Sequence, residues 1–135
     1  MDAIDRELLI IDFLNRRVWA IVGVSRDPEK FGHRVFCSLR EAGYTVYPVN
    51  PNETDLDGIQ VYPTLADLPE RPEVVDVVVP PRVTEQIVRQ MDALALDRIW
   101  MQPGAESQEA IEYCHEHGIA VVYDACAMIR RRQWN

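Results

Sequence analysis

Apolar residues recur along this chain in two rhythms, and their alternation predicts its elements. From Asp2 to about Arg16, Ile4, Leu8, Ile11 and Leu14 fall at helical spacing, with Asp2 where an N-cap belongs. This helix is expected to pack on a sheet or its edge. Val18–Val24 is an unbroken apolar run of the kind found in parallel strands covered on both faces. A helix is expected over about His33–Ala42, burying Val35, Phe36, Leu39 and Ala42, with Gly43 at the position of a left-handed cap. A second strand, Thr45–Val49, ends at Asn50-Pro51. Asn52–Gly58 reads as an acidic loop, Ile59–Tyr62 as a short extended piece, and Thr64–Leu68 as a helical turn stopped by Pro69 and Pro72. The third strand, Val74–Val79, is broken by Pro80-Pro81. A helix over about Val83–Leu94 follows, with Thr84 as its cap. The fourth strand, Arg98–Met101, ends in Gln102-Pro103-Gly104. Ser107 opens a helix over Gln108–His117, and Ile119–Tyr123 is the fifth strand.

Five strands alternating with helices through short connections predict an α/β fold, a doubly wound parallel sheet with helices on both faces. The 135 residues are expected to form one domain over 1–135, residues 1–17 supplying a helix that packs on the sheet. No apolar run approaches a membrane span, and the first residues alternate charged with apolar, unlike a signal peptide. A cytoplasmic setting without membrane contact is expected. The three cysteines, Cys37, Cys114 and Cys126, form no CxxC pair, which argues against a disulfide frame or zinc ribbon. A net charge of −8 argues against nucleic acid as a partner.

An acidic chain still binds a small anion where cations gather locally. The turn after the first strand carries Ser25, Arg26, Lys30 and Gly32, and Lys30 is the single lysine in the chain. Strand, glycine turn and helix together aim backbone N–H groups and a helix dipole at an anion, so a phosphate-bearing ligand is expected there. In doubly wound sheets ligands lie beyond the carboxyl ends of the strands. Here those ends carry Gly23–Gly32, Asn50-Pro51, Pro80-Pro81-Arg82, Gln102-Pro103-Gly104 and Asp124–Cys126. A dinucleotide fingerprint wants GxGxxG and an acidic residue ending the second strand. The chain has Gly23-Val24-Ser25-Arg26-Asp27-Pro28 and Asn50 instead, which disfavours NAD; NADP stays open, given Arg26 and Lys30. No GK[ST] follows the glycine, so this is not a P-loop.

Gly23-Val24-Ser25-Arg26-Asp27-Pro28 with Lys30 and Gly32, then Gly43-Tyr44 and Tyr47-Pro48-Val49-Asn50-Pro51, resemble the stand-alone CoA-binding proteins. Val75-Asp76-Val77, Trp100-Met101-Gln102-Pro103-Gly104 and Tyr123-Asp124-Ala125-Cys126 look like later segments of the same family, so the resemblance covers nearly the whole chain. That family is similar to the CoA-binding N-terminal domain of the succinyl-CoA synthetase α subunit. The resemblance implies a Rossmann-like fold whose first loop, here Gly23, Val24, Ser25, Arg26, Lys30 and Gly32, cradles the phosphates of coenzyme A. Asn50 and Pro51 belong to the same rim. Pro80, Pro81, Gln102, Pro103 and Gly104 would line the adenine or the pantetheine arm. The chain departs from many relatives at Val78-Val79-Pro80 and at Ala125.

The resemblance implies binding of coenzyme A or an acyl-CoA without catalysis. The alternatives are an NADP-binding protein, a subunit associated with an acyl-CoA ligase, and an adaptor whose ligand only stabilises the fold. A protein partner or a homo-oligomer stays open. Cys114, His115 and His117 diverge around their helix and supply no fourth ligand, so no metal site is expected. Cys126 reads as a free buried cysteine, with a mixed disulfide to the CoA thiol as the alternative. Asp124 and Glu106 pair with no nucleophile, and Ser25 is not in a GxSxG elbow, so no catalytic residue is assigned. Arg130-Arg131-Arg132 is expected to be a solvated tail.

Overall fold

The structure, a computed structural model, describes residues 2–134. Its elements run α1 (Ala3–Leu14), β1 (Val18–Val22), α2 (Phe31–Glu41), β2 (Thr45–Val49), β3 (Asp55–Leu56), β4 (Ile59–Gln60), a 3₁₀ turn (Leu65–Asp67), β5 (Val74–Val77), α3 (Pro81–Ala93), β6 (Arg98–Met101), α4 (Gln108–Glu116), β7 (Ala120–Val122) and α5 (Ala127–Arg130). Five strands form one parallel sheet in the order β2-β1-β5-β6-β7. The winding therefore reverses between β1 and β5. That switch opens a crevice at the carboxyl ends of those two strands.

Successive side chains of a strand point to opposite faces. Ala20, Val22, Val75, Val77, Ile99 and Met101 meet α3 and α4, while Trp19, Ile21, Val74, Trp100 and Val122 meet α1, α2 and α5. Both faces are thus covered, which is why the strands read as continuous apolar runs. Trp19 and Trp100 are fully buried, with ring centroids 5.8 Å apart. Each satisfies its indole N–H on a backbone carbonyl: Trp19 on Arg16 at 2.7 Å and Trp100 on Ala125 at 2.8 Å. Burying such side chains stabilises by roughly 2–3 kcal/mol apiece.

Several expectations are corrected. In α1 the buried residues are Ile10, Phe13 and Leu14, whereas Ile4, Leu8 and Ile11 face solvent. The helix is apolar on two opposed sides, and packing on Trp100 selects the side that carries Phe13. Its Asp12 is partly buried, which raises its pKa, but bonds from Arg16 and Arg98 outweigh this and hold it below the ordinary value. Residues 55–60 form a hairpin instead of a plain loop. Asp57 and Gly58 both take positive φ (51° and 88°), as the tight two-residue turn of a hairpin requires. Helix α3 starts at Pro81, two residues early, because proline is pre-set for a first helical position. Thr84 is accordingly inside the helix, fully buried, and donates its hydroxyl to the Ala105 carbonyl at 2.8 Å instead of capping. The C-terminal arginines are docked: Arg130 pairs with Glu7, Arg131 donates to the Ser38 hydroxyl and Arg132 to Asn15. Beyond them Trp134 packs edge-on against Tyr44, between the guanidinium groups of Arg17 and Arg132. Among the described residues no helix is long and apolar enough to cross a membrane.

Candidate functional site

The chain leaves β1 through Gly23, and the geometry there admits no other residue. Gly23 takes φ +102°, and a Cβ at that position would lie 2.1 Å from the Val78 carbonyl oxygen. Its N–H donates to Val49 O at 2.9 Å, and the Val78 N–H donates to Val22 O at 2.9 Å. The loop after β1 is thereby fastened to the ends of both neighbouring strands. Gly32, in the first turn of α2, would place a Cβ 2.4 Å from the Gly23 carbonyl oxygen. Two glycines in contact thus bring the helix N-terminus down onto the switch point, the job the spaced glycines of a dinucleotide fingerprint perform.

Between them the loop holds its own shape. Ser25 Oγ accepts from the Asp27 N–H at 3.0 Å, Asp27 Oδ1 from the Glu29 N–H at 2.9 Å, and the Asp27 carbonyl from the Lys30 N–H at 3.1 Å. His33 Nδ1 lies 2.8 Å from the Ser25 carbonyl oxygen, which can only accept, so Nδ1 carries the hydrogen. Asn50 ties the loop from the other side, donating Nδ2–H to the Val24 carbonyl at 2.8 Å while its Oδ1 accepts from Asn52 N–H. The Val24 side chain is buried in the core on the α1, α2 and α5 face, so it offers a ligand no side-chain contact.

Asp2 caps α1 and Ser107 caps α4, but α2 has no side-chain cap. Its N-cap residue is Lys30, which is exposed. First-turn N–H groups are therefore left without a side-chain acceptor, under a positive dipole end and beside a free ammonium. Helix α3, on the far side of the crevice, likewise has no side-chain cap; its N-cap is Pro80 and its first residue Pro81. Arg26 is exposed, with its Nε 4.0 Å from Glu53 Oε2. Below Pro51, on the α3 side of the sheet, lies a largely apolar cavity of about 180 Å³ lined by Val22, Val49, Leu65, Val83 and Ile87.

The loop after β6 divides. Pro103 and Gly104 are exposed at the same sheet end, Gly104 with φ +96° and its N–H on Glu106 Oε2 at 2.8 Å. Gln102, expected to line a ligand, is instead fully buried. Its Nε2–H donates to Asp76 Oδ2 at 3.0 Å, and its Oε1 accepts from the Ala127 N–H at 3.2 Å. It is a brace between the sheet and α5, because side-chain alternation points it into the α2 and α5 face. Asp76 lies on that same face, fully buried, with Oδ1 unpartnered; burial pushes its pKa up to about 8 against the opposing Gln102 hydrogen bond. Its carboxyl group is accordingly held as the acid at neutral pH. Cys114 is buried, and burial pushes its thiol up to about 12, while His117 stacks on Tyr113 with ring centroids 3.9 Å apart. Cys126, at the N-cap of α5, is half-buried.

The sheet order, the crevice at the switch and the glycine-clamped loop define a Rossmann-like domain. A model of the CoA binding domain matches residues 17–132, and the chain belongs to that family. It is 27% identical to the α subunit of acetate–CoA ligase [ADP-forming] II of Pyrococcus furiosus, covering 91% of this chain but only 29% of that relative. It is 29% identical to the uncharacterized protein YneT of Bacillus subtilis over 82% of each. Among solved structures, a hypothetical protein from Pyrococcus horikoshii superposes with a TM-score of 0.84 at 32% identity, covering 96% of this chain and 89% of that one.

Proposed function

We propose that the chain binds coenzyme A or an acyl-CoA as a one-domain, non-catalytic module, gripping its phosphates at the loop Gly23–Gly32. The observation that carries this reading is the side-chain-uncapped N-terminus of α2 with Lys30 at its N-cap, in a chain whose family is the CoA binding domain. Coenzyme A brings about three to four negative charges, since each phosphomonoester carries roughly −1.5 to −2. A unit charge pair about 4 Å apart gains roughly 4 kcal/mol at an intermediate dielectric, before desolvation is subtracted. Lys30, Arg26 and the α2 amides together offset the chain's net charge of −8 at this one place. The apolar cavity under Pro51 suits the adenine ring. Pro80, Pro81, Pro103 and Gly104 then border the path of the pantetheine arm, with Asn50 and Gln102 holding the loops that carry the contacts.

Lys30→Ala is expected to weaken coenzyme A about tenfold at low salt, the loss of one charge-assisted contact, without moving the melting temperature of the free protein. Calorimetric titration checks it, and unchanged affinity takes Lys30 out of the site. Thermal-shift comparison of coenzyme A, acetyl-CoA, NAD and NADP tests the ligand class, because a ligand that binds only the folded state raises the melting temperature. A second reading, a subunit associated with an acyl-CoA ligase, is favoured by the relationship to the acetate–CoA ligase α subunit, of which this chain spans 29%. Under that reading the chemistry belongs to other domains.

A further inference from the structure

Beside the phosphate loop, one carboxylate makes a contact that the binding of an anion would have to break. Glu53 Oε2 lies 4.0 Å from Arg26 Nε, and the two side chains differ in freedom: Glu53 is 22% exposed and Arg26 72%. Glu53 follows β2 by four residues and is turned back toward the first loop by its N–H on the Asn50 carbonyl at 3.4 Å, while Asn50 itself holds Val24. The pair thus spans the loops after β1 and β2, over the β2 side of the crevice.

In doubly wound nucleotide sites that side receives the ribose of the adenosine. A carboxylate there accepts from bare ribose hydroxyls, and an arginine there accommodates a ribose phosphate. This chain carries both groups, paired with one another. We propose that the Arg26–Glu53 pair sets the preference between a phosphorylated and an unphosphorylated ribose: Glu53 disfavours the 3′-phosphate and Arg26, once released from Glu53, favours it. The inference rests on the coenzyme A reading and concerns the same site. An ion pair at this separation, with its arginine largely in solvent, is weak, so a ribose phosphate can displace Glu53 from the arginine. The half-buried carboxylate stays in place and adds like-charge repulsion to the cost of doing so.

The test is calorimetric titration of the full chain, Glu53→Gln and Arg26→Ala with coenzyme A and with coenzyme A lacking its 3′-phosphate, at one low ionic strength. Glu53→Gln should raise the preference for coenzyme A about fivefold, the scale of a released surface pair. Arg26→Ala should lower it about tenfold, and Arg26→Ala/Glu53→Gln should lack most of the gain seen in Glu53→Gln alone. Melting temperatures of the free proteins should coincide, since the glutamine keeps the shape and the backbone turn of Glu53. If both single variants keep the parent preference to within about twofold, the proposal is overturned while coenzyme A binding stands. If the parent chain binds neither ligand, the coenzyme A reading fails and this inference with it.

Discussion

Between pH 4 and pH 8, Asp76→Asn should gain about 3–5 kcal/mol of stability relative to the parent chain. The sign follows from where the proton sits. In the folded protein, burial raises the Asp76 pKa from 3.8 to about 8, against the opposing Gln102 hydrogen bond. In the unfolded chain the same group ionises near its ordinary value. Between those two values the unfolded state sheds a proton that the folded state keeps, so parent stability falls as the pH rises and levels off above about pH 8. Asparagine retains the acceptor for Gln102 Nε2–H, and the cost of its unpartnered amide N–H groups at the Oδ1 position does not change with pH. It carries no proton to lose. Urea denaturation at pH 5, 6.5 and 8 measures the difference. Equal pH slopes for the two proteins would mean that Asp76 is ionised in the fold. Asp12, whose pKa is lowered, contributes in the opposite direction and only at acid pH, through stability lost as the pH falls.

Gly32→Ala should cost about 3 kcal/mol of stability and, in the fraction that folds, most of the affinity for coenzyme A. The added Cβ would stand 2.4 Å from the Gly23 carbonyl oxygen, a backbone atom rather than the end of a flexible side chain. Gly23 cannot retreat, because a Cβ drawn on it already meets Val78 O at 2.1 Å and its N–H is held by Val49. The helix must therefore lift from the sheet, taking Lys30 and the first-turn amides with it. Thermal melting reports the stability loss, and a titration of the folded remainder reports the binding loss. Gly118→Ala serves as a control: alanine is strained there by the positive φ (72°), but its Cβ meets nothing within 4 Å, so it should destabilise without affecting binding. Gly32→Ala binding coenzyme A as tightly as the parent would separate the glycine contact from the site.

What could be read from the chain alone divides along a physical line. The five strands were legible because both faces of the sheet are covered, so each central strand is apolar without interruption. The turn at Gly23 was legible for a similar reason: an apolar strand that breaks at a glycine into polar residues has to turn there. Helix α1 was not, since Ile4, Leu8 and Ile11 make as good a stripe as Ile10, Phe13 and Leu14, and only tertiary packing chooses between them. The Asp57-Gly58 hairpin carried its turn signal openly, but its strands are two residues each, too short for any alternation to register. Gln102, Asn50 and Thr84 show a different limit. A polar residue after a strand reads as a ligand contact or a cap, whereas the partner that each one holds in the fold, Asp76, Val24 or Ala105, comes from another part of the chain and leaves no mark beside it in sequence. Glu53 carries no signal of its own in the chain, because it lies four residues beyond the end of β2 and only the turn there folds it back toward Arg26.

The most direct test is isothermal titration of the purified chain with coenzyme A at low salt, repeated at rising salt and with NADP in its place. Saturable one-to-one heat with coenzyme A, weakening as salt screens the phosphates and exceeding that of NADP, is the result expected from a phosphate grip at Lys30 and the α2 amides. No heat with coenzyme A at any salt, or equal binding of NADP, would contradict it.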